Sequence, residues 1–172
     1  MSTYETILNR RSIRSYRKGE LTKEQLFKIL NAARWSPSAR NLQPWYFVVV
    51  LDEDLKRKMV PICRNQKFIG QAACLIVGLA DLEASPKWSV VDVTIALEHI
   101  VLVAHELGLG TCWIGAFEEE EVKKLLKIPD KFKIVAIISI GFPAEQPPAK
   151  PRKELEKIYS INYYGNPEKP LK

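Results

Sequence analysis

Apolar residues recur along this chain in two periods, one of strands and one of helices. Residues 45–51, 72–80 and 134–142 are the longest apolar runs. The run at 45–51, Trp-Tyr-Phe-Val-Val-Val-Leu, is aromatic and β-branched and predicts a buried strand. Further strands are expected at about 74–79, at 111–114 and, as the third long one, at 134–140. Helical spacing fills the gaps. Residues 4–11 predict a short helix with Ile7 and Leu8 inward. Thr22 followed by Gln25 is a capping-box pair. It opens a helix whose apolar face is Leu26, Ile29, Leu30 and Ala33, ending near Ser36-Pro37 because the residue before proline avoids the α region. Asp52 caps a helix to about Cys63. Residues 90–107 are apolar at Val93, Ile95, Ala96, Leu97, Ile100, Val101, Val103 and Ala104; a helix apolar on most faces is central. Gly108 and Gly110 are expected to supply its C-cap. Residues 118–126 predict a helix with an acidic first turn.

These elements predict a single α/β domain over residues 1–172, a central mixed sheet flanked by helices. From Pro143 the chain turns polar and proline-rich, with Pro147, Pro148, Pro151, Pro167 and Pro170. Such a tail lacks the apolar content for its own core, so it stays mobile or lies across something else, a partner subunit above all. No apolar run approaches the ~20 residues of a membrane span. The first twenty residues contain no apolar stretch, so no secretory signal is expected. Cys63, Cys74 and Cys112 are odd in number and form no CxxC pair. That argues against a disulfide framework and for a reducing cytoplasm. His99 and His105 have no cysteine or acid at ligand spacing, so no metal is expected.

Twenty-six Lys and Arg against 20 Asp and Glu give a net charge of +6, which favours anionic partners without choosing among them. Nucleic acid is disfavoured, because Trp45, Tyr46, Phe47 and Trp113 sit in apolar strands rather than between exposed cations. Neither GxGxxG nor GxxxxGK[ST] occurs.

Four constellations could carry chemistry. Arg10-Arg11-Ser12-Ile13-Arg14 offers three guanidiniums and a hydroxyl; in an extended segment Arg10, Ser12 and Arg14 share one face, and Arg suits phosphate and carbonyl edges. The loop Ser36-Pro37-Ser38-Ala39-Arg40-Asn41-Leu42-Gln43-Pro44 offers neutral groups that both donate and accept, suited to a heterocycle or ribityl hydroxyls. Gly108-Leu109-Gly110-Thr111-Cys112-Trp113-Ile114-Gly115 puts glycines on both sides of a short strand, where a ligand can approach the backbone. Lys150-Pro151-Arg152-Lys153 could fold back and extend a phosphate site begun by Arg10. Taken singly, each has a plain reading: a solvated patch, a connecting turn, a helix stop, a solvated tail.

Together, in this order, they resemble the nitroreductase-like family of FMN-dependent oxidoreductases. Arg10 to Arg14 resembles the family's RRSxR segment, residues 36–45 its SPSxxNxQPW loop, and residues 108–115 its GLGTxWIG segment. Asn65-Gln66 before a strand, Asp92 opening the long helix, and Lys150-Pro151-Arg152 complete the match. The resemblance implies a homodimer with a domain-exchanged tail, extended over the partner from about residue 143, and FMN at the subunit interface. It implies that Arg10, Ser12 and Arg14 contact FMN from one subunit, Arg10 with Lys150 and Arg152 at the phosphate and Arg14 at the N1/C2 side. Arg11 matches too, and points toward the phosphate or away. Pro37, Ser38, Ala39, Asn41 and Gln43 would come from the other subunit. Asn65 would approach the pyrimidine edge, and the backbone at Ile114 and Gly115 the ring near N5.

The implied activity is hydride transfer from NADH or NADPH, then to a nitroaromatic, quinone or similar acceptor, in a ping-pong cycle with no essential general base. Residues 64–89 are short for the lid that longer relatives insert, leaving Phe68 or Trp88 as candidates. The alternatives are the same fold with other flavin chemistry, such as reductive dehalogenation or flavin processing, and a non-catalytic flavin- or nucleic-acid-binding protein.

Overall fold

Ser2 and Thr22 each begin a helix by the same device. The hydroxyl accepts from the amide three residues on, and the Glu5 or Gln25 side chain at that position returns a bond to the cap amide, satisfying two otherwise orphaned donors. In this computed structural model, which describes residues 2–166, they start α1 (Thr3–Asn9) and α2 (Lys23–Arg34). Between them lies the two-residue β1 (Tyr16–Arg17), which the apolar pattern does not announce. Asp52 caps α3 (Glu53–Ile62) by accepting from the Leu55 amide at 2.8 Å. The remaining elements are β2 (Trp45–Val50), β3 (Cys74–Asp81), α4 (Ser89–Glu106), β4 (Gly110–Ile114), α5 (Glu119–Leu126) and β5 (Phe132–Pro143). Pro167 and Pro170 lie outside the described residues.

Every pairing between these strands is antiparallel. The sheet is mixed only through an isolated parallel bridge, Ser12 to Thr111. β5 is its axis. Residues Ile137 to Ile140 pair with β3 on one edge and with β4 on the other, and β1 joins at Phe142 and Pro143. Alternation along β3 divides the core. Leu75, Val77 and Leu79 pack with Met59 of α3 and Val122 of α5. Cys74, Ile76 and Ala80 pack with Ile29 and Ala33 of α2 and with Val93, Ala96 and Leu97 of α4. Helices thus cover both faces, as the element order predicts. Lys56 of α3 is only 2% exposed; its ammonium donates to the Ala72 carbonyl and to Glu53 Oε1, both at 2.6 Å, so the buried charge is bonded rather than stranded.

Three expectations are corrected. β2 lies at the edge of the sheet rather than buried within it; Tyr46 is 59% exposed and only Val50 is fully covered. Ile7 and Leu8 face outward and Thr6 inward, because α1 meets the body along one narrow stripe. Gly108 alone follows the end of α4, with φ of 76°, whereas Gly110 already belongs to β4. Phe68, a lid candidate, is a core residue, while Trp88 remains partly exposed under Lys87. Among the described residues no helix is long and apolar enough to cross a membrane.

Candidate active site

The segment from Arg10 to Arg14 lies along β4 because Gly110 leaves room for it. A Cβ at Gly110 would come within 2.8 Å of the Ile13 side chain. The Ile13 amide donates to the Thr111 carbonyl at 2.8 Å. The Tyr16 hydroxyl donates to the Ile13 carbonyl at 2.9 Å and lies 2.8 Å from Ser139 Oγ. Burial pushes the Tyr16 hydroxyl well above the ordinary phenol range, against the opposing Ser139 bond, so it stays a neutral donor. The Arg14 amide donates to the Glu145 carboxylate. Ile13 is thereby buried, and its polar neighbours turn outward.

Those neighbours meet the C-terminal basic element of the same chain. Arg10, Arg11, Ser12 and Arg14, with Pro147, Pro148, Lys150 and Arg152, line one cavity of about 120 Å³. The cations are held differently. Arg10 Nε stands 3.5 Å from Glu98 Oε1 of α4, and the other Glu98 oxygen accepts from the Trp113 indole at 3.2 Å. Arg11 donates to the carbonyls of Leu8 and Arg10 at 2.7 and 2.8 Å, capping the negative end of α1. Arg152 bonds the carbonyls of Lys150 and Pro151. Among the described residues, the Arg14 guanidinium and the Lys150 ammonium have no ion-pair partner. Five cations on one small cavity, two of them uncommitted, form a site for a polyanionic group such as phosphate.

The proline-bounded loop does not line this cavity. It is seated on α4 instead. Ser36 Oγ lies 2.7 Å from His99 Nδ1, and the Ala39 amide donates to both oxygens of buried Asp92 at 3.3 Å. Within the loop, Ser38 Oγ accepts from the Gln43 amide at 3.0 Å, and the Gln43 side chain reaches the Asn41 carbonyl. Arg40, Asn41 and Gln43 all have positive φ, from 50° to 56°, a strained run for residues with side chains. Pro37 and Asn41 are exposed.

Asn65, Ile114 and Gly115 form a third group. Asn65 has φ of 57° and donates to the Val60 carbonyl. The Arg64–Glu118 ion pair at 2.7 Å and the bond from the Glu118 amide to the Ile62 carbonyl hold this turn beside the loop that follows β4. Ile114 buries its side chain in the core; Gly115 is exposed, and a Cβ there would meet nothing within 4 Å. Contact with a ligand at these two positions is therefore through backbone.

A sequence model of the nitroreductase family matches residues 7–81 and 63–142. The chain belongs to the nitroreductase family. Its relatives within reach include a protein of Methanothermobacter thermautotrophicus, provisionally named an NADH dehydrogenase/NAD(P)H nitroreductase. The two are 34% identical over 165 residues, 92% of this chain and 86% of the other. An iodotyrosine deiodinase of Thermotoga neapolitana is 27% identical over 182 residues, 91% of this chain and 97% of its own. The solved NADPH:FMN oxidoreductase of Vibrio harveyi, complexed with NAD+, superposes with a TM-score of 0.88 at 27% identity, covering 99% of this chain and 79% of that one.

In this nitroreductase-family chain the motifs were legible and their supports were not. Thr111 of the glycine-rich motif holds the cationic segment together with Glu98, Tyr16 and Glu145, and these last three belong to no motif. Glu98 alone left a trace, an acid inside the most apolar helical stretch of the sequence.

Proposed function

We propose that this protein is an FMN-dependent oxidoreductase that takes hydride from NADH or NADPH and delivers it to a small acceptor, a nitroaromatic or a quinone. The observation carrying this reading is the convergence of Arg10, Ser12, Arg14, Lys150 and Arg152 on one cavity. The donor set fits the group: guanidiniums, an ammonium and a hydroxyl suit a phosphomonoester, and the neutral Asn65 and Gly115 suit a heterocycle edge. Bound there, FMN would supply a two-electron carrier that accepts and releases hydride.

The chain's own residues bind and orient. Arg10, Lys150 and Arg152 hold the phosphate, and Ser12 bonds beside it. Arg14, uncommitted to any anion, stabilises negative charge at the N1/C2 side of the ring. Arg11 contributes field while capping α1. The Asn65 side chain serves the pyrimidine edge, and the backbone at Ile114 and Gly115 serves the ring near N5. No residue is assigned a proton-transfer role, because hydride transfer is a positioning problem.

The working unit is a homodimer. The loop carrying Pro37, Ser38, Ala39, Asn41 and Gln43 lies apart from the basic cavity of its own chain, which supports its serving the partner's. Tyr4, Ile7, Leu8 and Phe27 of α1 and α2, with Trp35 just after α2, are exposed apolar residues that a partner would cover. Leu155, Ile158 and Tyr163 of the tail are exposed as well, consistent with a tail lying over the partner. Three free, buried thiols fit a reducing cytoplasm.

The test is an anaerobic titration of the yellow protein, absorbing near ~450 nm as flavins do, with NADH and with NADPH. Stoichiometric bleaching by at least one of them is expected; a flavin that neither bleaches would overturn the reading. Steady-state kinetics with a quinone should then give parallel double-reciprocal lines, and intersecting lines would contradict the ping-pong cycle. The deiodinase relative favours a second reading, reductive dehalogenation, in which two electrons and a proton convert a carbon–iodine bond to carbon–hydrogen and iodide. Iodide release from iodotyrosine in place of quinone turnover would select it.

A further inference from the structure

Glu98 is an acid on an otherwise apolar helix. Its neighbours Leu97, Ile100 and Val101 are fully buried, so packing fixes where its stem leaves α4. Both oxygens of its carboxylate are engaged. Oε2 accepts from the Trp113 indole at 3.2 Å, and Oε1 stands 3.5 Å from Arg10 Nε. Helix α4, strand β4 and the cationic segment thus meet at one carboxylate. Among the described residues, this is the one ion pair made by any of the five cations on the basic cavity. Glu98 is not itself among the residues lining that cavity; it stands behind Arg10.

A carboxylate so placed acts on a bound phosphate in two opposite ways. Its field repels the phosphate, since the two charges are alike. Its contact with Arg10 favours the phosphate. An arginine side chain has much rotamer freedom to lose, and ordering one such side chain on binding weakens affinity by about two- to tenfold. Arg10 is ordered before any ligand arrives, so that loss falls on folding instead. Contact at Nε also leaves the Nη edge of the guanidinium, which suits a phosphate, for the cavity that Arg10 lines. The pair is partly exposed, 27% for Arg10 and 40% for Glu98, so water and salt screen the repulsion. The contact persists because Trp113 holds the carboxylate in place.

We propose that Glu98 is a positioning residue for the phosphate: it orders Arg10 in advance and so sharpens the preference for a phosphorylated flavin over the bare one. The inference rests on the flavin reading, to which it adds a residue from outside the cavity lining.

Fluorescence titrations of the flavin-depleted full chain with FMN and with riboflavin test it, on the unaltered protein, Glu98→Asp and Glu98→Ala. Aspartate keeps the charge and shortens the reach by one methylene, while alanine removes both. Both variants should bind FMN about two- to tenfold more weakly, the aspartate variant at least as weakly as the alanine one. Both should bind riboflavin as the unaltered protein does. A field effect alone leaves FMN binding unchanged in Glu98→Asp and tightens it in Glu98→Ala; a merely structural role weakens both flavins alike. Either result overturns the role given to Glu98. Equal binding of FMN and riboflavin by the unaltered protein strikes the flavin reading itself, a different failure. If Glu98→Ala does not fold, Glu98→Asp still decides, because it separates contact from charge.

Discussion

Arg14, like Lys150, has no anion to hold it among the described residues. Arg10 faces Glu98, and Arg11 and Arg152 bond backbone carbonyls. On the proposed function, the free charge of Arg14 is the one available to the flavin ring. Arg14→Ala should retain the fold, since exposed substitutions usually move stability within about 0.5 kcal/mol. It should make the bound flavin harder to reduce. One hydrogen bond to a charged group is worth about 1.5–3 kcal/mol, or about 30–60 mV for a two-electron couple. Potentiometry that finds the potential unchanged removes this role from Arg14. His105 carries a prediction about pH. Its folded pKa lies below its unfolded value near ~6.5, so the folded chain binds fewer protons there. Its contribution to stability is fully present above that pH and is lost as pH falls through the folded pKa. The denaturation midpoint should fall on acidification just below that value, and His105→Asn should flatten this part of the profile; an equally steep profile in the variant would place the titration elsewhere. At this scale the motif residues were readable, because alternation alone puts Arg10, Ser12 and Arg14 on one side. Glu98 and Tyr16 were not, because their partners are distant in sequence.

The element that decides the site is β4, and within it one residue. Gly110 admits Ile13 side by side with the strand, at a distance any side chain would forbid. The atoms in the way are the Ile13 Cβ and its first branches, which cannot swing clear without moving backbone. Gly110→Ala should therefore displace the cationic segment, with an overpacking penalty of about 1–3 kcal/mol, and weaken FMN binding more than it lowers the unfolding midpoint. Fluorescence titration and chemical denaturation read the two effects separately; an unchanged affinity contradicts the packing argument. Periodicity found α2, α3, α4 and the long strands nearly at their limits. It misjudged β2 and α1, since an apolar run says that something covers it without saying what. β2 was expected to be buried and lies at the sheet edge, with β3 as its one strand neighbour among the described residues. Ile7 and Leu8 face outward, and nothing among the described residues covers them.

In the proposed dimer that cover comes from the second copy. Trp35 is 74% exposed, and Tyr4, Phe27 and Leu8 are exposed with it. Sedimentation should give the mass of a dimer; a monomer that turns over would separate the activity from the assembly. Composition gave only a positive balance, and the structure shows where part of it gathers: five cations from opposite ends of the sequence around one cavity. Their convergence is the central claim, and a comparison of two flavins tests it most directly. FMN and riboflavin differ only in the phosphate. With two or three charged contacts at about 1.5–3 kcal/mol each, the protein should bind FMN at least about a hundredfold more tightly than riboflavin. The double variant Lys150→Ala, Arg152→Ala should lose most of that preference while its affinity for riboflavin stays unchanged. Equal binding of the two flavins by the unaltered protein, or a preference that survives the double variant intact, would contradict the account.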